Sequence, residues 1–176
     1  MLACRELMRK LAAAVAASAL AGLLVAGCAS FDGRGLVQGR STQAEIVALM
    51  GPPAKVLELP DGDRALYFSR LPEGRAMFIV TIGPDGVMKS NEQVLVRKNL
   101  SAIVAGTSTK DDVLDLFGPP WRTGRLPLMP REWWEYKYFD YADRRIFWVQ
   151  YSDDGVVREV IDSRDWEYER GSRKKR

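Results

Sequence analysis

Residues 39–53 read GRSTQAEIVALMGPP and residues 106–120 read GTSTKDDVLDLFGPP. Seven of the fifteen positions are identical at a spacing of 67. In a chain of 176 residues this near-copy constrains the fold more than composition does, because whatever one copy builds the other must build again. Each copy predicts a short helix with readable ends. Thr42 caps the first, with Glu45 three residues on as its capping-box partner, and Thr109 with Asp112 repeats the arrangement using a shorter acid that predicts a weaker box. Ile46, Val47, Leu49 and Met50 fall on one helical face, and Val113, Leu114, Leu116 and Phe117 repeat it. Gly51 and Gly118 stand where a helix stops in the left-handed conformation, and the prolines after them cannot continue it. A helix of two turns is not stable alone and must lie on something else.

The sequence after each GPP predicts that support. Strand-like runs occupy 63–70, 75–82 and 87–97, and again 131–141, 144–151 and 156–165. Gly83-Pro84-Asp85-Gly86 and Ser152-Asp153-Asp154-Gly155 join the last two runs of each set, and such turn formers between alternating apolar runs are hairpin signals. The fold class expected is therefore α+β, with two tandem repeats. Each repeat places one or two short helices on a three-stranded antiparallel meander. Asn99 to Ala105 is the better candidate for a second helix. Residues 39–98 form the first repeat and 99–165 the second. Each is a size that buries only a marginal core, so each gains from packing on the other.

The amino terminus carries an address. Arg9 and Lys10 precede an apolar run from Leu11 to Ala26, too short for a comfortable membrane span but suited to an export signal. Met8 fits the start of such a leader better than Met1, because Cys4 and Glu6 are out of place in it. Leu24-Val25-Ala26-Gly27-Cys28 resembles the lipobox of bacterial lipoproteins. The resemblance implies a signal peptide over 1–27, cleavage before Cys28 and acyl chains on that cysteine. Several acyl chains hold a protein firmly on a membrane where one does not. Ala29 stands where that class carries an Asp for inner-membrane retention, which implies an outer-membrane location facing the periplasm. Residues 28–38 form a tether of at most about 35 Å.

The repeated Gly-x-Ser-Thr, an acid three residues on, Leu-x-Gly-Pro-Pro and an aromatic strand such as Trp134-Glu135-Tyr136, behind a lipobox, resemble the SmpA/OmlA domain, the BamE-like outer-membrane lipoprotein family. In tandem the layout is also similar to that of the β-lactamase inhibitory protein. The resemblance covers most of 36–165. It implies a non-catalytic accessory factor in β-barrel outer-membrane protein assembly or envelope maintenance, with outer-membrane lipid and the assembly machinery as partners. The alternative is an inhibitor-like module that binds a periplasmic enzyme. The family carries one such unit and this chain two, and the first repeat has Leu66 or Tyr67 where the strand tryptophan belongs.

Composition argues against other classes. The chain has no histidine, which removes the commonest general base and metal ligand, and it has no metal-ligand cluster or glycine-rich phosphate loop. Asp111, Asp112, Asp153 and Asp154 read as a helix first turn and a solvated turn. No enzyme activity, metal, cofactor or small-molecule substrate is expected. Net charge is +3, yet of 26 basic residues three precede Cys28 and five follow from Arg170, while of 23 acids only Glu6 lies outside the span between. The body is thus mildly acidic, which argues against a nucleic-acid-binding face. The stretch 166–176 reads as a basic, disordered tail.

A binding surface is expected among the aromatic residues crowding 133–151. Trp134, Tyr136 and Tyr138 share one strand face, and Trp133, Phe139 and Tyr141 the other. On the next strand Phe147, Val149 and Tyr151 oppose Ile146 and Trp148. The helices cannot cover both faces. Trp133, Phe139, Tyr141 and Trp148 are the preferred partner-binding set, although a register slip of one residue inverts the choice.

Overall fold

The computed structural model describes residues 31–168. Every identical position at the start of the two copies makes the same bonds. Gly39 and Gly106, at φ +75° and +80°, donate their N–H groups to the carbonyls of Met88 and Val157, both at 2.8 Å. Ser41 and Ser108 accept those two residues' N–H groups on their own carbonyls, again at 2.8 Å. The same serines' Oγ atoms accept from Val37 and Val104 at 2.9 and 3.0 Å. Thr42 and Thr109 then cap α1 (Gln43–Met50) and α2 (Lys110–Phe117). The loop before each helix is thereby pinned to a hairpin more than forty residues later.

Both capping boxes are closed. Glu45 Oε2 accepts the Thr42 N–H at 2.8 Å, and Asp112 Oδ2 accepts that of Thr109 at 2.7 Å. The shorter acid therefore makes an equivalent box, because its carboxylate sits directly over the cap nitrogen. The main-chain bond from Thr42 or Thr109, with the hydroxyl bond second, holds each carboxyl below its ordinary value. Gly51 and Gly118 stop the helices with φ of +83° and +71° but ψ of −174° and −168°. This is an extended region open essentially to glycine alone, not the left-handed helical conformation expected. A strand begins one residue after the two prolines, at Lys55 and at Arg122.

That strand changes the expected sheet. Each sheet has four strands, not three. Sheet 1 runs in the order β1 (Lys55–Glu58), β2 (Arg64–Ser69), β3 (Met77–Ile82), β4 (Met88–Gln93). Sheet 2 runs β5 (Arg122–Arg125), β6 (Arg131–Asp140), β7 (Asp143–Ser152), β8 (Val157–Arg164). All neighbours are antiparallel. The extra strands β1 and β5 are four-residue edges, half-buried on alternate residues, and Arg122-Thr123-Gly124-Arg125 contains no apolar side chain at all. Their pairing begins where Ala54 and Trp121 donate to the carbonyls of Tyr67 and Glu135, at 2.7 and 2.9 Å. The second helix expected over Asn99–Ala105 is a 3-10 helix over Arg97–Ala102, and residues 31–39 ahead of α1 form turns.

The layers alternate. Ile46 and Met50 of α1 pack on one face of sheet 1, against Leu66, Phe68, Val80, Ile82 and Met88. The other face, with Ala65, Tyr67, Met77 and Ile79, joins Val113 and Phe117 of α2 and the inner face of sheet 2 in a single larger core. Helix α2 thus touches both sheets. Tyr67 Oη donates to the Asp115 carbonyl at 2.6 Å, and the Lys55 ammonium meets the Asp115 carboxylate at 2.5 Å. On its other side the Phe117 ring stands 5.3 Å from Phe147 and 5.9 Å from Tyr136. The two sheets are stacked on one helix rather than joined edge to edge.

Candidate protein-binding face

The inner face of sheet 2 is core, as alternation demands. Trp134, Tyr136, Tyr138, Phe147, Val149 and Tyr151 are all buried. Tyr136 stacks on Phe147 at 4.8 Å and donates to the Gly118 carbonyl at 2.9 Å. The outer face carries Trp133, Glu135, Lys137 and Phe139 of β6 opposite Gln150, Trp148, Ile146 and Arg144 of β7. No described helix of α1 or α2 lies over it.

The four aromatic residues expected to bind are not one cluster. Trp133 and Trp148 are half-buried and line one shallow cleft of about 280 Å³ with Leu126, Gln150 and Ile161. Phe139 is exposed at the far end of β6, and Tyr141 is wholly exposed in the hairpin tip beyond it, at φ +53°. They line a different cleft with Val96, Arg97, Lys98 and Asp140. Six residues of strand, about 20 Å, separate Trp133 from Phe139. Cys28 and the leader 1–27 lie outside the described residues, as do residues 169–176.

Charges fill the space between the two pairs. Glu135 is buried, and its carboxylate accepts from Trp148 Nε1 at 2.8 Å and from Arg122 Nη2 at 2.8 Å. Arg122 also holds Glu167 at 2.9 Å. Lys137, buried as well, reaches Glu167 at 3.3 Å and Asp165 at 3.5 Å. Asp165 also pairs with the buried Arg75, and Trp121 lays its ring 3.8 Å from the Arg122 guanidinium and 4.0 Å from the Lys137 ammonium. Burial alone would raise the Asp165 and Glu167 carboxyls. The bond from Arg75 and the nearby Lys137 charge outweigh it for Asp165, and Arg122 with Lys137 does so for Glu167, so both lie below their ordinary values.

This network fixes the ledge beside it. Trp148 is oriented through its indole N–H, and Trp133 lies flat against Gly124, where an added Cβ would come within 2.4 Å of its ring. A rigid pair of indoles at a sheet surface, one end apolar and one end bonded, is the geometry of an interface anchor. Sequence reasoning missed the supporting charges. Glu135 and Lys137 alternate with aromatics on β6, which marks them as sharing a face, but their partners lie up to 30 residues away. The chain also runs ordered into the stretch expected to be disordered: Trp166 to Tyr168 form a helical turn.

No protein-family model matches the chain, and no curated protein matches it. Among solved structures it is similar to a DUF4309 family protein (YjgB) from Bacillus subtilis, with 17% identity, 75% of this chain and 84% of that one covered, and a TM-score of 0.29.

Proposed function

We propose that the chain is an outer-membrane lipoprotein of the periplasmic side, anchored through acylated Cys28, that acts as a non-catalytic binding factor in β-barrel outer-membrane protein assembly or envelope maintenance. In this reading it is two tandem copies of one SmpA/OmlA-like unit, in which the repeated Gly-x-Ser-Thr loop and Gly-Pro-Pro stop have kept the same bonds. The observation that carries the binding role is the Trp133–Trp148 ledge. It is braced by a buried ion network and left half-open on a sheet face, while the corresponding face of sheet 1 is buried against α2. An inhibitor-like module would favour a continuous concave sheet spanning both copies. Here the sheets are separate and the ledge belongs to sheet 2 alone, which supports the assembly role instead.

The test is a photo-crosslinker at Trp148 in the full chain, with capture from detergent-solubilised outer membranes. Recovery of the barrel-insertion machinery, lost in Trp133→Ala and weakened in Cys28→Ala, is the expected result. Recovery of one soluble periplasmic enzyme instead would overturn the assembly role in favour of the inhibitor reading.

A further inference from the structure

Sheet 2 ends on β8, and among the described residues no strand pairs with its other side. Just beyond the strand, the Asp165 N–H donates to the Arg144 carbonyl at 2.9 Å. Bonded and non-bonded pairs alternate in an antiparallel ladder, so Ile146 with Ser163, Trp148 with Ile161 and Gln150 with Glu159 are bonded pairs. The N–H and C=O groups of Val160 and Asp162 and the N–H of Arg164 therefore point away from β7, along the free edge. The Arg164 carbonyl takes the Ser163 hydroxyl at 3.3 Å. The start of β8 is closed, because Val157 accepts from Gly106 and donates to Ser108, both at 2.8 Å.

Sheet edges are commonly blunted by shortness, charge or proline. Strands β1 and β5 are four residues long, and β5 begins and ends on arginine. Strand β8 has eight residues and no proline, and most of its charges are turned back into its own sheet. The Arg158 guanidinium meets Asp154 at 2.9 Å, and Glu159 lies 3.5 Å from Arg131. The Asp162 carboxylate accepts from Tyr138 Oη at 2.8 Å and from Arg145 Nε at 3.0 Å. Arg164, at the far end, is exposed.

The two sides of this edge differ. On the outer face Ile161 is exposed, pairs with Trp148 and lines the cleft that Trp133 and Trp148 share, so that cleft reaches β8. On the other face Asp162 and Arg164 flank the edge, opposite Phe147 and Arg145. A strand added here must be apolar on alternate residues and polar on the rest, which is the pattern of a membrane β-barrel strand. Main-chain bonds to a sheet edge give affinity, and a cleft for alternate side chains gives specificity.

We propose that β8 is a strand acceptor, whose occupant is an extended segment of alternating polar and apolar residues that adds antiparallel to its edge and lays its apolar side chains on Ile161 and Trp148. It rests on the assembly reading for the source of that segment, an unpaired strand of a barrel precursor.

The probe is a fluorescein-labelled peptide, Glu-Val-Thr-Val-Thr-Val-Thr. In the antiparallel register its Glu and first two Thr residues exchange bonds with Arg164, Asp162 and Val160, and its valines lie on the outer face. Binding to the full chain in detergent is read by fluorescence anisotropy, and exchange of the Val160, Asp162 and Arg164 amides by NMR. N-methylation of the threonines is expected to weaken binding about tenfold, and N-methylation of the valines to leave it within about threefold. The three amides should exchange more slowly with the peptide bound. Val160→Pro removes an outward donor while sparing the ladder, and Ile161→Glu spoils the apolar side, so both should weaken binding. The methylated peptides leave the protein unaltered, so their result does not depend on how either variant folds. No binding of the unmethylated peptide, equal losses on methylating valines or threonines, or binding indifferent to Val160→Pro would each overturn the proposal. So would amides already protected before peptide is added because a second copy pairs there. Peptide binding at β8 without capture of the barrel-insertion machinery from position 148 would keep the acceptor edge and overturn the assembly role.

Discussion

The hydroxyl of Tyr67, in the second strand of sheet 1, donates to the main-chain carbonyl of Asp115, in the helix that begins the second half of the fold, at 2.6 Å. Burial, with the Asp115 charge second, pushes that hydroxyl up to about 12, so it remains a donor throughout the neutral range. Removing the bond alone with Tyr67→Phe is expected to cost about 1 kcal/mol, the net worth of one hydrogen bond. Tyr67→Ala also opens a cavity between sheet 1 and α2 and is expected to cost about 3–5 kcal/mol. Urea unfolding of the two variants checks both values.

Gly118 and Gly51 end their helices with similar dihedrals but in different surroundings. A Cβ at Gly118 would come within 2.9 Å of Tyr67 and 3.0 Å of Met77, whereas at Gly51 nothing lies within 4 Å. Gly51→Ala therefore meets backbone strain alone, about 1–3 kcal/mol. Gly118→Ala adds the cost of overpacking between two sheets, about 1–3 kcal/mol more. Equal shifts in denaturation midpoint for the two would show that α2 is not wedged as described.

The Asp165 and Glu167 carboxyls have folded values held below their unfolded ones by Arg75, Arg122 and Lys137. Their stabilisation is fully present above the unfolded value near pH 4 and is lost as pH falls through the lower folded values. Thermal stability should therefore drop as pH is lowered below about 4, and Asp165→Asn should flatten part of that slope. At neutral pH the same variant leaves Arg75 and Lys137 short of a buried partner, a loss of about 3–5 kcal/mol. A pH series of melting temperatures for the two proteins decides the matter.

Trp133 lies on Gly124, and a methyl group there would meet the indole ring first. Gly124→Ala should lower partner crosslinking from position 148 severalfold while unfolding changes by less than about 2 kcal/mol. Crosslinking unaltered by the substitution would mean that the partner does not sit on the indole ledge.

The parts of the fold legible in the sequence are those fixed by local bonds. Thr42 with Glu45 and Thr109 with Asp112 act within one helix, and alternation along β6 and β7 separated Trp134, Tyr136 and Tyr138 from the outer side chains. Strands β1 and β5 were not legible, because Lys55–Glu58 and Arg122–Arg125 are edges recruited by the carbonyls of Tyr67 and Glu135 rather than by any apolar pattern of their own. The division of the aromatic set was hidden for a similar reason. Glu135 and Lys137 look like solvated charges until Asp165 and Glu167 arrive from beyond the last strand.

The alternation of helix, sheet, helix and sheet has a direction, with α1 at one end and the outer face of sheet 2 at the other. Tyr67 and Glu135 hold matching places, each accepting the first main-chain bond of its edge strand. In sheet 1 that place takes the next helix; in sheet 2 it is a buried carboxylate already committed to Trp148 and Arg122. Glu135 therefore sets the two sheets apart: where sheet 1 presents a phenol that donates to a helix carbonyl, sheet 2 presents a carboxylate satisfied by the Trp148 and Arg122 of its own sheet.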